Sequence, residues 1–106
     1  MTRVIFKTEV RMRYINPAIG HAIDVARDVW EILDIDECVV TSLNDSYHSK
    51  TSLHYAGCAV DLRIRNVPTE HRDTITHMLR QRLGSEYDVL NEGDHYHIEW
   101  QPKRED

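Results

Sequence analysis

No stretch of this 106-residue sequence is apolar for long enough to span a membrane. The opening run MTRVIFKTEVRMRY carries a charge every two or three residues, so the apolar centre of a signal peptide is missing as well. The chain therefore reads as cytoplasmic as synthesised, with no membrane insertion. Glycine/serine linkers, internal repeats and low-complexity tracts are also missing, which leaves one domain over 1–106. Positive charge is in short supply: 13 Lys and Arg against 18 Asp and Glu give a net charge of −5. Nucleic-acid binders that work by neutralising phosphates are usually basic, so that class is excluded. The basic pieces RMR and RIR are short and alternate with apolar residues, as solvated strand faces do. Cysteine is scarce too. Cys38 and Cys58 lack the paired spacing of a structural metal site, and a reducing compartment leaves them as small buried apolar residues.

What is present suits a small folded domain. Hydrophobic residues make up 41% and charged residues 29%, and disorder is expected only in the charged tail PKRED. A chain of this size buries about two-thirds of its unfolded surface. At the start, Val4, Phe6, Val10, Met12 and Tyr14 alternate with Lys7, Glu9, Arg11 and Arg13, the pattern of a half-buried strand. Asn16 followed by Pro17 is a helix start, and Ile19, Ala22, Ile23, Ala26, Val29, Trp30 and Leu33 recur at helical spacing, so 17–34 is an amphipathic helix. ECVVTS reads as a short buried strand and LNDSYHSKTS as a polar loop. In CAVDLRIR, Val60, Leu62 and Ile64 point one way and Ala59, Asp61, Arg63 and Arg65 the other. Pro68 begins a second helix with Ile75, Met78, Leu79 and Leu83 on its inner stripe, and Gly84 stops it. YDVL, the turn NEGD containing Gly93, and HYHIEW form a closing pair of strands. The order strand, helix, strand, strand, helix, strand, strand predicts an α+β domain: a small, mainly antiparallel sheet with two helices on one face.

Residues two apart on a strand share a face. In HYHIEW this groups His95, His97 and Glu99, with Tyr96, Ile98 and Trp100 toward the core; Asp61 lies on the polar face of its own strand. If the two strands are neighbours, Asp61 and His97 converge. His54 precedes the Asp61 strand, and Gly57 lets the chain there turn tightly. Two imidazoles and one carboxylate make a tetrahedral zinc set with the fourth position left to water, the arrangement of catalytic rather than structural zinc. A general base is needed beside that water, and Asp94 and His95 both stand next to His97. The same side chains also fit a surface reading, in which His95 and His97 face solvent and Asp61 pairs with Arg63 or a nearby lysine. Seven histidines in one short chain make chance pairings common. His21, His71 and His77 fall on the helical stretches without a partner at ligand spacing and read as surface residues; His48 lies in the loop ahead of His54, within reach of a substrate.

SLHYAGCAVD (52–61) fits the pattern Ser-x-His-x-x-Gly-x-Ala-x-Asp at every specified position, and HYH comes later in the right order as His-x-His. In these motifs the chain resembles the zinc D-alanyl-D-alanine carboxypeptidase and L-alanyl-D-glutamate endopeptidase family, which includes phage endolysins and shares its fold with the hedgehog signalling domain. The resemblance implies that His54, Asp61 and His97 bind Zn2+, that Asp94 is the catalytic base in a place where Glu is usual, that His95 assists, and that Ser52 supports the first ligand. It implies a phage or prophage product that hydrolyses peptidoglycan stem peptides at the cell wall, as an endopeptidase or a D,D-carboxypeptidase. Many members carry an Arg ahead of the first ligand; TSLNDSYHSKTS has none, so Lys50 or His48 is left to meet the substrate, without the forked geometry of a guanidinium. The Asp94 replacement and the Arg-free loop keep a second class open: a zinc-binding structural or binding module of the same fold, such as a virion component.

Overall fold

The computed structural model describes residues 1–8, 10, 15–44 and 58–101. Their elements are β1 (Arg3–Phe6), α1 (Pro17–Ile32), β2 (Glu37–Asn44), β3 (Cys58–Arg63), α2 (Arg72–Leu83), β4 (Tyr87–Asn91) and β5 (His95–Trp100). This is the order expected from the sequence. The strands form one sheet in the order β1-β2-β3-β5-β4. β1 and β2 run parallel, joined through α1, while β2/β3, β3/β5 and β4/β5 are antiparallel. The domain is thus α+β with a mixed sheet.

Local chemistry explains most boundaries. The Asn16 side chain accepts a hydrogen bond from the Ala18 amide at 2.8 Å, and Pro17 occupies the first helical position, where its missing N–H costs nothing. Ile19, Ala22, Ile23, Ala26, Val29 and Trp30 are buried along one side of α1. The helix stops at Ile32, two residues earlier than the spacing predicts, because Asp34 takes a left-handed conformation with φ 58° and turns the buried Ile35 inward. The second helix also begins late. Pro68 caps a single 3-10 turn, Thr69–His71, and α2 starts only at Arg72. Ile75, Leu79 and Leu83 of α2 are buried and Met78 partly so; Gly84 ends the helix at φ 85°.

Three expectations for strands need correction. β3 ends at Arg63 and does not run on through Ile64 and Arg65. β1 ends at Phe6, not Tyr14, because Lys7 starts a turn in which the Val10 amide donates to the Lys7 carbonyl at 2.9 Å; Glu9 and residues 11–14 lie outside the described residues. β2 is longer than ECVVTS and continues through Leu43 and Asn44.

Tyr96 shows which face of the sheet carries both helices. Its ring packs edge-on against Trp30 of α1 at 5.7 Å, and its hydroxyl donates to the Arg72 carbonyl at the start of α2, 2.9 Å away. Trp30, Tyr96, Leu62, Ile64, Ile75, Leu79 and Ile98 are all fully buried, each contributing about 1.5–3 kcal/mol relative to exposure. At the far side, the Arg80 guanidinium donates through Nε and Nη2 to the Val89 carbonyl (3.0 and 2.7 Å) and ties α2 to β4. Cys38 and Cys58 are buried, as expected. No described helix is long and apolar enough to cross a membrane.

Candidate functional site

The register of β3 against β5 sets Asp61 opposite His97, Ala59 opposite Glu99 and Arg63 opposite His95. Intervening residues Val60, Leu62, Tyr96 and Ile98 go into the core, so the strand period sends Asp61, His95, His97 and Glu99 to the opposite face. There, His97 Nδ1 lies 2.8 Å from Asp61 Oδ1 and His97 Nε2 lies 3.2 Å from Glu99 Oε1. Asp61 is also approached from its other oxygen, with His95 Nε2 3.9 Å from Oδ2. His95 in turn meets Glu92 Oε1 at 3.1 Å through Nε2 and Asp94 Oδ1 at 2.5 Å through Nδ1. The result is a row of alternating carboxylates and imidazoles along one sheet face.

The Asp61 and His97 side chains are about a quarter exposed, 25% and 26%. They line a depression of about 300 Å³ together with Ser42, Leu43 and Ala59. A register shift between Val40 and Ser42 brings Ser42 level with Asp61, and the Thr41 hydroxyl donates to the Asp61 carbonyl at 3.3 Å. Electrostatics follow the contacts. Burial works against protonation of His97, but hydrogen bonding to Asp61 and Glu99, with the added charge of Asp61 and Glu92, prevails and raises its pKa. His95 shifts the same way: burial opposes, while Asp94, Asp61 and Glu92 raise it. Glu99 is lowered, first by the Gln101 amide that donates to it and then by His97.

Of the residues singled out from the sequence, Asp61 and His97 are brought into direct contact, and His95 stands beside them. Asp94 is not aimed at the pair. It sits in the β4–β5 turn with its side chain 89% exposed and touches His95. His48, Lys50, Ser52 and His54 lie outside the described residues. Among the described residues no three His, Cys, Asp or Glu side chains are grouped to hold a metal ion; Asp61 and His97 are two of the three expected ligands. One imidazole nitrogen and one carboxylate oxygen on a single face are donor types that zinc accepts, one short of the three protein ligands of a catalytic site. His21 and His77 are exposed and His71 is half-buried, away from this row.

Two residues gain a place that the sequence did not give them. Glu99 was on the right face by alternation, without an assigned partner. Glu92 reaches His95 because the turn closes with the Glu92 amide donating to the His95 carbonyl at 2.9 Å, a juxtaposition outside any strand period. Comparison with family models, with curated proteins and with solved structures finds no match to this chain.

Proposed function

We propose that the protein is a zinc-dependent peptidase of bacterial peptidoglycan stem peptides, built on a hedgehog/DD-peptidase-like fold. The observation that carries the reading is the 2.8 Å contact between Asp61 and His97. Each belongs to a different motif, and the two meet on adjacent strands at the floor of a depression. In this reading Asp61 and His97, with His54 from the preceding segment, would hold the metal. The chemistry zinc would supply there is activation of water as a nucleophile near neutral pH and polarisation of a substrate carbonyl. Proton handling falls to His95 and Asp94. With Asp94 on Nδ1, the imidazole keeps a fixed orientation and turns Nε2 toward Asp61. The surrounding carboxylates favour its protonated form, so His95 would be placed to donate a proton from Nε2 to the departing amine. Glu92 competes for the same nitrogen and holds it when no substrate is bound. Lys50 and His48 are left to meet the substrate's negative charge, and Ser52 to support His54.

The exposure of Asp94 favours a second reading, in which the metal pair is kept for binding or structural purposes without turnover. Digestion of purified peptidoglycan separates the two. The zinc-loaded wild-type protein should release new amino groups, and the mass of the soluble product names the bond cut. Asp94→Ala should lose turnover and keep its zinc. Zinc-loaded protein that releases nothing refutes the peptidase reading and leaves the binding module. Less than about half an equivalent of tightly held zinc, with no further loss in His54→Ala, refutes both.

A further inference from the structure

We infer that Glu99 is the positioning residue for His97, holding the imidazole by Nε2 so that Nδ1 is the nitrogen offered to a metal. The inference rests on the reading of Asp61 and His97 as metal ligands. Glu99 follows His97 by two residues on β5 and shares its face, with Oε1 3.2 Å from Nε2, while Nδ1 is the nitrogen 2.8 Å from Asp61 Oδ1. A neutral imidazole carries one proton on its two nitrogens. A ligating nitrogen must be bare, so the proton belongs on the other one, where an acceptor fixes both the tautomer and the ring plane. Glu99 supplies that acceptor from the correct side. Its own orientation is set in turn: the Gln101 amide donates to Oε2, which leaves Oε1 for His97. Across the ladder Glu99 faces Ala59 of β3, a methyl group with no hydrogen-bonding capacity, and Asp88 of β4, a carboxylate that offers it no proton when ionised.

The relevant measurements are zinc affinity, by competition with a chromophoric chelator, and the protonation state of the His97 ring, by two-bond nitrogen–proton correlation in the zinc-loaded wild type. Glu99→Ala should bind zinc about 10–100-fold more weakly than wild type. Glu99→Gln keeps an oxygen at the acceptor position and should recover most of that loss; the site of the ring proton, which side-chain packing alone would not set, separates positioning from a merely structural role. The ring should carry its proton on Nε2. Affinity in Glu99→Ala within about threefold of wild type, against the loss usual for such partners, overturns the inference; so does Glu99→Gln as weak as Glu99→Ala, or a His97 proton on Nδ1. The ring measurement is made on wild type and holds even if Glu99→Ala fails to fold. Wild-type protein that takes up no zinc overturns the metal reading and this inference together, whereas zinc uptake with unchanged affinity in Glu99→Ala overturns the inference alone.

Discussion

At His97 both ring nitrogens face carboxylates, Asp61 from β3 and Glu99 from β5, with Glu92 adding charge from the end of β4. Both nitrogens can donate only when the ring is an imidazolium, so this arrangement favours the proton. In chelator-treated protein the His97 ring should titrate above its ordinary 6.5, and Asp61→Asn should bring the midpoint down; an NMR titration that finds no change in the variant contradicts the assignment. A raised folded-state pKa contributes stability that is full below 6.5 and lost as pH rises through the folded value, and His95 acts in the same direction. Glu99, lowered from 4.5, contributes stability present above that value and lost as pH falls through its folded pKa. From these three groups, metal-free protein should melt highest between about pH 4.5 and 6.5, a window that a series of melts at different pH values can check. Cys38 is the opposite kind of residue. Burial pushes its thiol up to about 12, which removes the thiolate at neutral pH and leaves it inert in the folded state.

At the scale of elements, the helices rest on recognisable punctuation. Asn16→Ala removes the oxygen that accepts from the Ala18 amide and should cost about 1 kcal/mol by urea unfolding, with the sheet intact. The element order and the inward faces of α1, β3 and β5 were legible because 3.6- and 2-residue periods are imposed by burial against one core. Interruptions of a period were not legible. Val10 continues the alternation of Val4 and Phe6, yet the turn at Lys7 ends the strand, and a residue pattern carries no signal for a hydrogen bond between backbone groups. The shift between Val40 and Ser42 is of the same kind, adding a residue to one strand and re-aiming the side chains beyond it. Pro68 precedes a 3-10 turn rather than opening α2, which starts four residues later at Arg72. The Asp61–His97 half of the site was legible for the same reason as the core, since two strand periods on neighbouring strands define a shared face. Glu92 was not, because it enters through a turn.

For the molecule as a whole, the core and the site face are opposite sides of the same sheet. Trp30→Ala, at the centre of the core against Tyr96, should destabilise by about 3–5 kcal/mol in denaturant unfolding, a large share of the stability of a domain this size. Metal should act in the other direction. On the proposed zinc reading, zinc at about 100 times its dissociation constant should add about 2.7 kcal/mol to wild type, visible as a rise in melting temperature that a chelator reverses and that His97→Ala lacks. On β5, Tyr96 and His97 are consecutive, one buried against Trp30 and the other on the site face beside Asp61. Inserting or deleting one residue before Tyr96 would exchange those faces, sending the imidazole toward the core and the phenol to the surface. The last strand is therefore far more sensitive to changes in its length than to changes in its composition. Among randomised variants of 95–100, those that keep this spacing should survive selection, while frame-preserving insertions and deletions should be lost together with the fold.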